Sequence, residues 1–312
     1  MEETKINDTL SVRESASLEP KAQKKKKEHR IRYTWADYVI AAVLILFSLV
    51  TFYQLWYVII GSFSNGQEYA SGRVFLLPKG FTWANYSVIF RDTVFWTAFR
   101  NTVLRTVTGV CCSLIFTALV AYGMTSKYLR CRKAYYWLFI FTMFFSGGIV
   151  PMYLLLRILG LYDTFFVYIV PSLFSVYNMI IISSFYRGIP DSLYEASELD
   201  GAGEFTIWWD IYMPLSKPVL ATVALWLAVD HWNSYMGTML YTEAGEWTIT
   251  LQYHLKHLIN EAAGASSEYA EMVSAKTISY AGIVIALLPI MCFYPFIQKH
   301  FTKGIMVGSL KG

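Results

Sequence analysis

The stretch PDSLYEASELDGAGEFTIWWDIYMP, residues 190–214, decides how the rest of the chain reads. It lies between two long apolar segments and holds Asp191, Glu195, Glu198, Asp200, Glu204 and Asp210, too many acids for a membrane span. Pro190 suits the first turn of a helix, where its missing N–H would have no intrahelical partner. Asp191, Glu195 and Glu198 follow at i, i+4 and i+7, which places three carboxylates on one face near the favourable end of the macrodipole. Gly201-Ala202-Gly203 predicts a break, because glycine readily takes the positive φ that ends a helix. In a second helix Phe205, Trp208, Trp209 and Tyr212 form one aromatic stripe, closed by Pro214. The expected unit is a bent pair of short helices, its aromatic side held to its own protein and its acidic side offered to a partner. The alternative is a segment lying flat on lipid headgroups. Such helices usually carry Lys and Arg on the polar face, so a basic protein surface suits these acids better.

Within this stretch Glu195-Ala196-Ser197, then Gly201 six positions after Glu195, then Ile211 and Pro214, resemble the E-A-A, three residues, G, nine residues, I-x-L-P loop of bacterial ABC importer permeases. Ser197 and Met213 depart from that pattern by small changes in volume. The resemblance runs from about Ala98 to the C-terminus. It is strongest to type I importers of the carbohydrate-uptake, maltose type, and within them to lipoprotein-associated oligosaccharide permeases of Gram-positive bacteria. It implies that Glu195, Ala196, Ser197, Gly201, Ile211 and Pro214 belong to coupling helices seated in a cleft of a cytoplasmic ATPase. It also implies a second homologous permease making a heterodimer, an ATPase dimer, an extracellular solute-binding protein and a sugar substrate.

Composition agrees with a membrane protein. Of 312 residues 55% are hydrophobic and only 15% charged, with mean hydropathy +0.40, whereas soluble domains carry about 25% charged residues. The fold class expected is all-α and polytopic, with about six transmembrane helices. Apolar segments near 36–61, 98–124, 134–157, 162–187, 216–240 and 277–299 each approach the ~20 residues that a span requires. The net charge of +4 has no nucleic-acid module to serve. Cys111, Cys112 and Cys292 fall in apolar segments and Cys131 in a turn, which implies neither a disulfide framework nor a metal site.

Lys and Arg set the orientation. Those of the first 34 residues, then Lys127, Arg130, Arg132, Lys133, Arg187, Lys217, Lys299, Lys303 and Lys311, fall on one side if both termini are cytoplasmic in a bacterial cell membrane. Residues 190–214 then face the cytoplasm. The organisation expected is a disordered basic tail over 1–34, a first helix and outer loop over 35–97, a core over 98–300 with its coupling loop at 188–214, and a tail over 301–312. In the first outer loop Trp83, Tyr86 and Trp96 suit a membrane interface. A second outer loop, 241–276, has a helix-like middle. The resemblance suggests that it reaches toward the sugar site of a binding protein, and that the tail KGIMVGSLKG, which its glycines would let run extended, reaches toward the ATPase.

The fifth segment places Trp226, Asp230 and Asn233 on one face. An intramembrane carboxylate beside an amide and an indole marks a pathway, and aromatic planes with hydrogen-bonding groups suit an uncharged, hydroxyl-rich sugar. Asp230 could instead pair with His231 or a partner helix. The related permeases carry a small residue where this chain has Asp230. Tyr177 and Asn178 are further pathway candidates, although Ser175 and Asn178 also suit helix-to-helix hydrogen bonding. Ser146-Gly147-Gly148 with Pro151 predicts a kink. His254 and His257 make an H-x-x-H without a third ligand, which fits a solvated helix face better than a metal site. The chain has no catalytic constellation and no Walker A motif, so no cofactor is expected and ATP belongs to a partner. The competing function is an ion-coupled secondary transporter with Asp230 as the ion site, which would require inverted repeats.

Overall fold

The computed structural model describes residues 34–264 and 274–309; the expected basic tail, apart from Thr34, lies outside them. Two units divide between Phe52 and Tyr53. Helix α1, Trp35–Ser62, supplies all but Thr34 of the described part of the first unit, and its most apolar window is wholly unburied. Its start is closed by Asp37, whose Oδ2 accepts from the Thr34 backbone N–H at 2.6 Å and from Thr34 Oγ1 at 2.8 Å.

In the second unit α2 is Gly66–Ala70, α3 is Ala84–Arg91 and α4 is Thr93–Thr125. At 1.5 Å per residue the 33 residues of α4 run about 50 Å, more than the ~30 Å hydrocarbon core. Asp92 caps it by accepting from Val94 N–H at 2.9 Å. Buried small residues spread along α4, Ala98 and Gly109 on one face and Ala118 and Ala121 on the other, let other helices approach it closely. At Gly109 the His231 ring comes so near that an added Cβ would lie 2.5 Å from it.

The kink expected in the third segment is a complete break. Helices α5, Arg132–Phe144, and α6, Ile149–Ile158, meet at 111°, with Gly148 at φ 89° between them. The fourth segment is not a single helix from 162 to 187. It opens as turns and a 3₁₀ helix at Phe165–Tyr168, and only Val176–Tyr186 is α-helical, as α7. Pro171 lacks an N–H for a helical ladder, and Asp163 is drawn instead toward a distant strip of chain, accepting from Glu243 N–H at 2.9 Å.

Helices α8, Asp191–Leu199, and α9, Glu204–Leu215, form the elbow. They lead to α10, Lys217–Asn233, then α11, Met236–Tyr241, α12, Leu251–Gly264, and α13, Ala275–Ser309. Among the described residues three helices are long and apolar enough to span a membrane, or five if each sharply bent pair counts once. The tail from Lys303 to Ser309 continues α13 instead of running extended, since an existing helix lengthens more easily than a new one nucleates.

Two clusters hold these helices together. One joins α4, α7, α9 and α10 through Ala118, Ala121, Ile182, Tyr186, Trp208 and Val223. The other joins α3, α4, α10, α12 and α13 through Ile89, Phe95, Trp232, Leu251 and Ala281. Tyr86 belongs to this second cluster and bonds to Ser62 Oγ at 2.7 Å, so it is buried, whereas Trp83 and Trp96 are exposed. His254 is also buried, with Nε2 2.8 Å from Asp92 Oδ2, which fastens α12 to the start of α4. It does not lie on a solvated face.

Candidate functional site

Helix α8 ends as the glycine predicts. Gly201 has φ 80°, its N–H donates to the Glu198 carbonyl at 3.0 Å, and Ala202 N–H donates to the Ser197 carbonyl at 3.0 Å. This pair of bonds is the Schellman arrangement, in which a residue of positive φ satisfies the last free carbonyls and turns the chain. Pro190 stands one residue outside the helix, as its N-cap. Ser197 returns its hydroxyl to the Leu193 carbonyl at 2.7 Å, while Glu195 and Ala196 stay exposed.

The second helix differs from the expected α-helical stripe. After one α turn at Glu204–Ile207 the chain widens into a π turn at Trp208–Tyr212, and α geometry returns at Met213–Leu215. Widening the turn redistributes side chains that ideal α spacing would align. Trp208 is 1% exposed and Tyr212 8%, whereas Phe205 is 65% and Trp209 47% exposed. The stripe is therefore split: Trp208 and Tyr212 anchor the elbow, and Phe205 and Trp209 stack on each other outside it, with centroids 6.3 Å apart. Tyr212 meets Tyr122 of α4 and Tyr186 of α7 edge-on, at 4.9 and 5.3 Å. Ile211 packs on the same cluster. Pro214 is exposed within the last turn of α9 and does not end the chain's helical course, which resumes in α10 after Ser216 at a bend of 83°.

The acids divide as well. Lys127, in the turn after α4, lies 2.8 Å from Asp191 and 3.9 Å from Glu195. The bond to Asp191 is the chief reason its ammonium is held above the usual lysine range. Glu204, itself solvent-exposed, reaches back to two phenols: Oε2 accepts from Tyr122 Oη at 2.5 Å and Oε1 from Tyr194 Oη at 2.7 Å. Burial first, and the bond to Glu204 second, push the Tyr194 phenol above its ordinary range. A cleft of about 320 Å³ lies beside this joint, lined by Tyr122, Lys127, Arg132, Asp191, Tyr194 and Tyr212.

The outward surface is thus both acidic and apolar, with Glu195, Glu198 and Asp200 beside Leu193, Leu199, Phe205 and Trp209. Leu199 is 89% exposed. The expectation that the greasy side faces inward and only the acidic side outward is corrected here. Leu199 carries no periodic signal, and the outward turn of Phe205 and Trp209 depends on the π turn, which no residue pattern marks.

The pathway candidates are brought together only in part. Tyr177 of α7 and Trp226 of α10 are both exposed and face each other, with centroids 5.9 Å apart. Asp230 and Asn233 continue the exposed side of α10, although Asn233 Nδ2 is engaged with the Val229 carbonyl at 2.9 Å. Asn178 is buried, away from this surface, and Ser175 caps α7 by accepting from the Asn178 backbone N–H. Among the described residues Asp230 forms no ion pair with His231, whose ring is buried against Gly109.

Sequence reasoning missed a buried polar joint toward the other end of α4. Arg105 donates to the Ser234 carbonyl at 2.9 Å and lies 4.3 Å over the Tyr168 ring, and Tyr168 donates to the Thr248 carbonyl. Asn101 donates to the carbonyls of Glu246 and Ile249, at 2.8 and 3.0 Å. An arginine inside an apolar segment was the available signal. Among the described residues no group of His, Cys, Asp and Glu could hold a metal ion, and the four cysteines are free.

The chain is 36% identical over 282 residues to the polygalacturonan/rhamnogalacturonan transport system permease protein YtcP of Bacillus subtilis, a match spanning 88% of this chain and 98% of that one. It is 35% identical to protein LplC of the same organism, over 91% and 99% of the two chains. Its fold superposes with TM-score 0.80 and 34% identity on a chain of a bacterial ABC transporter involved in import of the acidic polysaccharide alginate, covering 86% of this chain and 99% of the other. The signature of the binding-protein-dependent transport system inner membrane components matches residues 95–307, so the chain belongs to that family of ABC importer permeases and is a multi-pass membrane protein.

Proposed function

We propose that this permease carries a carbohydrate, an oligosaccharide, across a bacterial cell membrane, driven by a separate cytoplasmic ATPase dimer that docks on the elbow α8–α9. The observation that carries this reading is the outward surface of the elbow: Leu199, Phe205 and Trp209 stand exposed beside Glu195 and Glu198. Exposed aromatic and aliphatic side chains flanked by charges are what a protein interface uses as anchors and rim. A lipid surface would favour basic neighbours instead.

In this reading both termini and the elbow are cytoplasmic. A second, homologous permease completes the pore, and an extracellular binding protein delivers the sugar. Carbohydrate as cargo is supported by the sugar-permease names of the relatives and by the Tyr177–Trp226 pair, whose rings offer planes on which a pyranose can stack. ATP hydrolysis on the partner would alter the docking contacts between two states and so shift the helices between inward-open and outward-open forms.

Glu195→Ala tests the coupling role. Glu195 supplies a carboxylate for charge-assisted bonds to a basic ATPase residue, each contributing about 1.5–3 kcal/mol, so uptake should fall about tenfold or more while membrane insertion is unchanged. Undiminished uptake in that variant would contradict it.

A further inference from the structure

We propose that Glu204, held by Tyr122 and Tyr194, is the clamp that transmits movement of the docked helix α8 into the membrane helix α4, a role distinct from docking and resting on the function proposed above. Both oxygens of one carboxylate are engaged by phenols from two different elements: Tyr122 near the inner end of α4 at 2.5 Å, and Tyr194 in the middle of α8 at 2.7 Å. Glu204 itself opens α9. One side chain therefore ties three elements that the backbone joins only through the Gly201 turn and, between α4 and α8, through more than sixty intervening residues.

A favourable place for an acid in the first turn of a helix would require neither phenol. Hydrogen bonds to an ionised acceptor are roughly twice as strong as neutral ones, and a carboxylate held from two sides has little freedom to swing. The clamp also has a weaker neighbour, the exposed contact of Lys127 with Asp191 at 2.8 Å, which holds α8 to the turn beyond α4. That pair is a single contact between two exposed side chains, whereas the carboxylate of Glu204, although also exposed, is held by two phenols at once, which makes the ion pair the more easily exchanged of the two. The joint is thus fixed at Glu204 and adjustable at Lys127, which lets α8 pivot under the ATPase while still pulling on α4. Glu204 is a positioning residue; it contacts neither nucleotide nor cargo.

The test uses the complete transporter, with both permeases, the ATPase and the binding protein, reconstituted in liposomes. Sugar transported per ATP hydrolysed is measured for Tyr122→Phe/Tyr194→Phe, which keeps both rings and removes both donors. The expected result is a normal yield of complex, persistent ATP hydrolysis and about a tenfold fall in sugar moved per ATP. Adding Glu204→Gln to the double variant should change the ratio no further, because the three groups act as one unit. An unchanged ratio, or a Glu204→Gln effect that simply adds to that of the phenylalanines, overturns the clamp. If the double variant assembles poorly, Tyr194→Phe alone is read in the same way, and a normal ratio there overturns the proposal. Absence of the ATPase from the unsubstituted complex would instead refute the docking reading.

Discussion

Gly109 and Gly123 lie on the same helix, α4, and should respond oppositely to alanine. A Cβ at Gly109 would stand 2.5 Å from the His231 ring, whereas nothing outside the helix comes within 4 Å of Gly123. Gly109→Ala is expected to destabilise by about 1–3 kcal/mol through overpacking. Gly123→Ala should be neutral or stabilising by up to about 1 kcal/mol, because alanine is the better helix former. Thermal unfolding of the detergent-solubilised protein checks both, and equal shifts would show that the close approach to His231 is not rigid. Gly201 is a different case, since the space around it is open but its φ is 80°. Gly201→Val forces a β-branched side chain into the left-handed region at a cost of about 1–2 kcal/mol, and uptake should drop because the elbow is re-aimed. Full uptake in that variant would show that the bend tolerates another geometry. The need for glycine there was legible from residues 201–203 alone, because the requirement is local. The need at Gly109 was not, because its reason lies 122 residues away in His231.

At the scale of the element, α9 shows where periodicity reaches its limit. Phe205, Trp208, Trp209 and Tyr212 fit an ideal stripe on paper, yet the π turn buries only Trp208 and Tyr212. The two tryptophans therefore predict an internal contrast. Trp208→Ala empties a fully buried site in the cluster joining four helices and should cost about 3–5 kcal/mol of stability. Trp209→Ala should leave the unfolding temperature nearly unchanged while weakening retention of the ATPase during co-purification. Equal losses of stability would mean that the π turn does not separate the two roles. The break between α5 and α6 was legible from Ser146-Gly147-Gly148 and Pro151, although its 111° angle was not. The irregular start of the fourth segment escaped because its apolar composition concealed Asp163, which is satisfied by residue 243 in a distant stretch. Short apolar runs do not declare which backbone geometry they adopt. For the sugar path, Trp226→Ala or Tyr177→Ala removes one plane of the facing pair, and uptake should fall several-fold, as loss of one stacking contact of about 0.5–1.5 kcal/mol implies. Uptake indistinguishable from the unsubstituted protein would assign the pair to helix packing.

Across the whole molecule the division of labour follows from composition. Helices with little charge need one another or lipid, while the strongly acidic stretch between α7 and α10 has no place within an apolar layer and is left outside it. That much follows from six acids in 25 residues, as does the family reading from Glu195 to Pro214. How the acids are held required three-dimensional packing, because Tyr122 and Lys127 of a distant part of the chain engage Glu204, Asp191 and, more loosely, Glu195, which all stay exposed, while Glu198 and Asp200 are engaged by neither. Set among these carboxylates is an outward apolar tip, Leu199. Docking through the elbow requires this tip to enter the ATPase and stay engaged as nucleotide turns over. A photo-crosslinking amino acid placed at Leu199 in the reconstituted transporter tests it directly. Irradiation should join the chain to the ATPase subunit in high yield both with ATP and without it, with the attachment point shifting between the two states. Label that goes only to lipid or water in every nucleotide state would contradict the account.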